Sequence, residues 1–169
     1  MIRIRAGAAS DVGQVRQVNQ DTILVDERLF VVADGMGGHR GGEIASEIAV
    51  TTLRSTLTTW TADALAEAVQ DANRAVVAYA EDDPSVKGMG TTVCALALVE
   101  DEGEERIAIV NVGDSRCYLA KREGGIEQQT ADHSLVATLE RQGQLTAEEA
   151  AVHPHRNILT RALGIDEHV

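Results

Sequence analysis

The sequence has 169 residues, enough for one domain, and its 44 % apolar content is enough to bury a real core. Its net charge is −12, from 27 acidic and 15 basic side chains. That balance argues against binding nucleic acid or an anionic membrane, because phosphate backbones need Lys and Arg to neutralise them. No apolar run approaches the ~20 residues of a membrane span. The start, Met-Ile-Arg-Ile-Arg, also lacks the apolar core of a signal peptide. Cys94 and Cys117 each lie in an apolar run and read as free thiols in a reducing compartment. The expectation is a soluble, cytoplasmic chain with no membrane segment and no nucleic-acid partner. One Trp, one Phe and two Tyr leave the core to Val, Ile, Leu and Ala.

In chain order, residues 3–9 alternate weakly and suggest a strand. Leu29–Ala33 is a short continuous apolar run ending at Asp34-Gly35, which reads as a buried strand entering a tight turn. Ile44, Ala45, Ile48, Ala49, Thr52 and Leu53 recur at helical spacing over 41–57. A second helix spans about 62–80, with Leu65, Ala66, Val69, Ala72, Val76 and Tyr79 on one face, Thr61 as N-cap, and Pro84 forbidding continuation. The period then changes. Thr92–Val99, Ile107–Val112, Arg116–Ala120 and Ile126–Thr130 read as four strands, the first two joined by the acidic run 100–105. Short helices follow at about 134–142 and 146–152, the second opened by a Thr146/Glu149 capping box and stopped by Pro154. Helices framed by a strand meander indicate an α+β fold with mainly antiparallel pairing. The near-continuous apolar strands predict a sheet covered on both faces.

The strongest local signal is Val32-Ala33-Asp34-Gly35-Met36-Gly37-Gly38-His39. A carboxylate at a strand end followed by glycines puts an anionic oxygen where the backbone can approach a ligand closely. The dinucleotide fingerprint fails, because Arg40 occupies the place of the third glycine. The Walker pattern fails too, because Glu43 replaces its lysine and would repel phosphate. A hard-metal site with carboxylate and carbonyl oxygens and an ordinary glycine-rich turn both remain open on this motif alone. Two further turns point the same way: Asp21 closes Arg16-Gln17-Val18-Asn19-Gln20-Asp21, and Asp114 follows the strand ending at Val112. Three carboxylates at strand ends fit a cluster at one edge of a sandwich.

Those blocks, together with Gly90-Thr91-Thr92, Gly113-Asp114-Ser115-Arg116, Asp132-His133-Ser134 and Asn157…Thr160-Arg161-Ala162-Leu163-Gly164, occur in an order that resembles the type 2C protein phosphatases (the PPM family) in their bacterial form. The resemblance runs from about residue 5 to 164. It implies an α-β-β-α sandwich with two Mn²⁺ or Mg²⁺ ions, with a third bound more weakly. Asp34 would bridge the pair, Gly35 would offer its carbonyl, and Asp114 would serve the third ion. Asp21 would hold metal-bound water, Arg16 would grip the substrate phosphate, and residues 134–157 would form a mobile flap. The implied activity is hydrolysis of phosphoserine and phosphothreonine by activated water, without a covalent phosphoenzyme. The implied partners are phosphorylated proteins, a serine/threonine kinase among them.

Two departures qualify that picture. Met36 stands where animal members of the family carry a histidine, so this position cannot supply a general acid; His39 is the nearest imidazole, and its expected role is structural. The family's later Asp-Gly and Asp-Asn blocks have no counterpart after Gly164. The expectation is therefore a single incomplete catalytic domain over 1–169, lacking the last strands and their carboxylates and binding metal weakly. The competing expectation is a catalytically impaired phosphatase-like binding module. His153 and His155 read as exposed flap residues, and Asp132-His133-Ser134 as a triad in composition only, since adjacent residues cannot converge on one reacting atom.

Overall fold

Strand β2 (Leu29–Met36) is the spine of the main sheet in the computed structural model, which describes residues 2–37 and 40–169. It pairs antiparallel with β1 (Asp21–Val25) on one side and with β3 (Gly90–Thr91) and β4 (Val93–Asp101) on the other, and β5 (Glu104–Val112) adds to β4. Of the acidic run 100–105 only Glu102 and Gly103 form the hairpin turn; Glu100 and Asp101 pair with Glu105 and Glu104 as the ends of β4 and β5. Glu102 and Gly103 both take left-handed backbone, with φ of 50° and 83°, the geometry that matches the twist of the flanking strands.

Side chains alternate along these strands, and one set faces two helices. Leu29, Val31 and Ala33 of β2 and Val93, Ala95 and Ala97 of β4 are all buried. They meet α1 (Gly41–Thr56) and α2 (Ala62–Asp82), whose Ala45, Ala49, Leu53, Leu65, Val69, Ala72 and Val76 complete the core. The many alanines let helices and sheet approach closely without aromatic filler. Thr61 caps α2 as expected, its hydroxyl accepting from the Ala64 amide at 3.1 Å. The buried face of α2 differs from the expected one: Ala66 and Tyr79 are exposed, and Ala68 and Asn73 take their place. The stripe 65, 68, 69, 72, 73, 76 includes a polar residue, which hydropathy alone passes over.

The other sheet face is open, contrary to the expectation of cover on both sides. Val25, Val32, Ile107 and Ile109 are exposed there. The hairpin of β6 (Tyr118–Ala120) and β7 (Ile126–Gln128) reaches only part of it. Cys117 and Tyr118 join Phe30, Val32, Cys94 and Leu96 around an apolar groove of about 500 Å³. Both cysteines are free and partly buried, and burial pushes the Cys94 thiol up to about 11. β6 and β7 are shorter than predicted because the flanking groups bond elsewhere: the Cys117 amide donates to Thr130 Oγ1 and Arg116 turns to Asp132. Residues 3–9 form no strand; Ile2 is tied by its amide to Glu105 Oε2 instead.

The short helices α3 (Leu135–Arg141) and α4 (Ala147–Val152) form where expected, capped by Ser134 and by the reciprocal Thr146/Glu149 box. Beyond them the chain returns to the sheet. Leu163 exchanges both backbone hydrogen bonds with Thr91, at 2.9 and 3.0 Å. Asn73, fully buried, accepts from the Gly164 amide and donates to the Asp166 and Glu167 carbonyls. No helix among the described residues is long and apolar enough to cross a membrane.

Asn73→Ala would remove a fully buried amide and leave one backbone donor and two backbone acceptors without it, so it should lower unfolding stability by about 2–3 kcal/mol. Urea denaturation of the two proteins measures this, and a change below about 0.5 kcal/mol, the usual surface-substitution range, would remove Asn73 from the fold's supports.

Candidate metal centre

The β1–β2 register sets Asp21 directly opposite Asp34. By alternation, Asp34 follows Val32 and Phe30 onto the helix-free face, and Asp21 follows Ile23 and Val25 onto the same side. Cross-strand neighbours have Cβ atoms about 4.5–5.5 Å apart, so two like charges meet at the sheet end. The Asp34 carboxyl is accordingly held above its ordinary value. Burial is the main cause, followed by the charge of Asp21; Arg16 pulls the other way, while a hydrogen bond with Asp21 and the charge of Asp114 add to the rise. A divalent cation between these oxygens would turn that mutual repulsion into shared attraction, so the donor set fits a hard metal.

Three segments converge to hold this end of β2. The Asp34 amide donates to Thr92 Oγ1 at 3.0 Å, and the Thr92 amide returns a bond to the Asp34 carbonyl at 2.9 Å. The Gly35 amide donates to the Gln20 carbonyl at 3.1 Å. A Cβ on Gly35 would lie 2.0 Å from the Gly42 carbonyl oxygen, so β2 and the first turn of α1 touch backbone to backbone. On β1, the Asp21 amide donates to Asn19 Oδ1 at 3.0 Å, and the Asn19 side-chain amide donates to Ser10, whose hydroxyl faces Asp21 Oδ2 at 3.4 Å.

Arg16, Asp21 and Asp34 line one cleft of about 190 Å³, with Asn19 and Gln20. Arg16 is exposed and donates to Gln20 Oε1 at 3.4 Å. A larger space of about 500 Å³ adjoins it, bounded by Arg16, Val18 and Met36. Asp114 stands further off. It follows Gly113, whose φ is 108°, and borders a separate cleft of about 770 Å³ beside α3, α4 and Asn157. Among the described residues no three His, Cys, Asp or Glu side chains are close enough to enclose an ion. The structure thus brings Arg16, Asp21, Asp34 and Gly35 together and leaves Asp114 at longer electrostatic reach.

The other sequence candidates have other employment. Asp132 is chelated by Arg116 through Nε and Nη2 at 2.5–3.0 Å, which holds the guanidinium more firmly protonated. Ser134 caps α3. His133 grips Gly113 from both sides, its amide donating to the Gly113 carbonyl at 2.9 Å and its Nδ1 accepting from the Gly113 amide at 3.2 Å. His153 and His155 stack edge to face, with the His155 amide on His153 Nδ1. His39 lies outside the described residues. Sequence reasoning missed Ser10 altogether, and it quoted Thr91 and Thr92 only as part of a block; nothing in their residue types marks them as supports of Asp34.

A half-buried Asp34 and an exposed Asp21 thus share one cleft with an arginine, at the end of a helix-backed antiparallel sheet. Residues 13–163 match the family model of protein phosphatase 2C, and the chain belongs to that family. It is 41 % identical to the serine/threonine phosphatase stp of Listeria innocua over 93 % of its own length, and spans 66 % of that relative. Among solved structures, the PPM Ser-Thr phosphatase MsPP of Mycobacterium smegmatis, crystallised with cacodylate, superposes with a TM-score of 0.82 at 42 % identity, over 95 % of this chain and 67 % of that one. The catalytic domain of PstP in complex with two manganese ions gives 0.79 at 36 % identity, over 92 % and 65 %. These likenesses establish the α+β phosphatase fold.

The His133 clamp generates a pH dependence. Burial first, then Arg161 and Arg141, hold its imidazole below its ordinary value, opposed by Asp132. A proton therefore binds the unfolded chain more readily than the folded one. The stabilisation is fully present above about pH 6.5 and declines as pH falls below it. Protonating Nδ1 also removes the acceptor for Gly113. The melting temperature should fall between pH 7.5 and 5.5, and by less in His133→Asn; equal falls in the two proteins would clear His133 of the effect.

Proposed function

We propose that this protein is a divalent-cation-dependent phosphatase that hydrolyses phosphoserine and phosphothreonine in phosphorylated proteins. The observation that carries the reading is the Asp21/Asp34 pair facing Arg16 across one cleft. The manganese bound by PstP and the phosphatase names of the relatives support it. Asp34, the Gly35 carbonyl and, at longer reach, Asp114 would hold Mn²⁺ or Mg²⁺, with Asp21 completing the polar rim. When bound, the cations supply Lewis-acid activation of water and neutralise phosphoryl charge.

The side chains do the rest. Arg16, planar and always charged, takes two phosphoryl oxygens at once and aligns the ester for in-line attack. Asp21, exposed at the rim, accepts a hydrogen bond from the attacking water and orients it. Asp34 acts as a carboxylate whose ionised form the cations favour. Met36 offers no proton, so the leaving alkoxide takes its proton from water. Residues 134–157 serve as a flap over the cleft that Asp114 borders, and residues 1–169 belong to one catalytic domain. A cytoplasmic serine/threonine kinase is the natural partner, as the source of the substrates.

Asp34→Ala should abolish Mn²⁺-dependent turnover of p-nitrophenyl phosphate, by at least about 10²-fold, while the circular dichroism spectrum stays unchanged. Activity near wild type would remove Asp34 from the centre. Arg16→Ala should raise KM for a phosphothreonine peptide about tenfold to a hundredfold, as expected for a charge-assisted hydrogen bond of about 1.5–3 kcal/mol. Steady-state kinetics in which both KM and kcat are unmoved would reject the role.

A further inference from the structure

Thr92 lies at the break between β3 and β4, is 2 % exposed, and touches both carboxylate-bearing segments. Its hydroxyl accepts from the Asp34 amide at 3.0 Å and shares a hydrogen bond with Ser115 Oγ at 2.7 Å. With the Asp34 N–H on one lone pair, the hydroxyl can still donate its proton to Ser115, the neighbour of Asp114. Its methyl group fills the space over Gly113: a Cβ there would lie 2.6 Å from Thr92 Cγ2. The Thr92 amide adds a fourth contact, to the Asp34 carbonyl at 2.9 Å. One buried side chain thus links the end of β2 to the turn after β5.

We propose that Thr92 is a positioning residue that fixes the separation of Asp34 and Asp114, its hydroxyl setting the distance and its methyl group seating the Gly113 turn. The significance of that separation rests on the reading that both carboxylates serve one cation centre. Serine would keep the hydroxyl arm and lose the methyl. Valine would keep the shape and leave the Asp34 amide and the Ser115 hydroxyl without their partner. The Gly113 turn is also held from the far side by His133, so losing Thr92's arm should loosen the turn without unfolding it.

The test compares wild type, Thr92→Val, Thr92→Ser and Ser115→Ala in two measurements on the chain. Without metal, amide exchange and ¹⁵N relaxation report the Asp34 and 113–115 amides, with the β2 amides of 29–33 as internal reference. In Thr92→Val, protection of the Asp34 amide should fall about tenfold and the 113–115 signals should shift and broaden, as expected for one lost hydrogen bond. Thr92→Ser should retain Asp34 protection, and Ser115→Ala should loosen 113–115 while leaving Asp34 protected. Unchanged 113–115 signals in both Thr92→Val and Ser115→Ala would overturn the proposal. If Thr92→Val does not fold, Ser115→Ala decides alone. The second measurement is Mn²⁺ titration by calorimetry: affinity should drop about tenfold in Thr92→Val and by less than about threefold in Thr92→Ser, since one tenfold step is the scale of a single hydrogen bond. Equal affinities in wild type and Thr92→Val would overturn the positioning role. A wild type that takes up no Mn²⁺ counts against the cation-centre reading, and the amide measurement then decides Thr92's role on its own.

Discussion

Two carboxylates of like charge, facing each other across a strand pair at the end of β2, impose the constraint that the surrounding structure serves. Left to themselves they would separate. Each could swing toward water, and the strand ends could fray, since opposed like charges weaken a ladder. What keeps them together is backbone. The Asp34 peptide is bonded on both its N–H and its C=O by Thr92, the next amide is bonded to Gln20, and the Asp21 amide is held by Asn19. Repulsion is thus stored in a rigid frame, the condition under which a hard cation gains most from arriving.

The frame draws its rigidity from the opposite side of the sheet. Leu29, Val31 and Ala33 alternate with the residues on the functional face, so the contacts that bury β2 against α1 and α2 also fix the direction of Asp34. A one-residue slip of register would send Asp34 into the helix layer and Ala33 to the cleft. The long-range ties Leu163–Thr91 and Asn73–Gly164 lock β3 beside β2, and through β3 the placement of Thr92. Packing and polar bonding here are two faces of one arrangement.

Much of this was legible in the residues. The helix over 41–57, the Thr61 cap and the Thr146/Glu149 box each follow from local chemistry, and each is present; the strand starts at Leu29 as read but, in place of the expected tight turn, runs on through Asp34 and Gly35 to Met36, where β3 pairs with it. The misreadings share a cause: hydropathy records that a residue is suited to burial, not what it will meet. It could not tell that Asn73 is interior because three backbone groups await it, or that the apolar faces of Val32 and Ile109 stand open. The Asp21–Asp34 pairing is equally hidden, since it depends on how the 26–28 turn sets the register. Thr92 is invisible for a plainer reason: a threonine beside a strand is ordinary, and only its two arms' destinations make it otherwise.

The contact between Gly35 and Gly42 bears on how far this sequence can drift. Neither residue has a left-handed backbone, so neither is glycine for conformational reasons. Each is glycine because the other's backbone occupies the space of its side chain; a Cβ on Gly42 would lie 2.7 Å from the Gly35 carbonyl carbon. No compensating change in a neighbouring side chain can open that gap, because what blocks it is main chain. By contrast, Gly7 has nothing within 4 Å of an added Cβ and no left-handed backbone. Drift that is open at Gly7 halts where β2 enters α1, and the geometry of Asp34 is inherited with two atoms' worth of empty space.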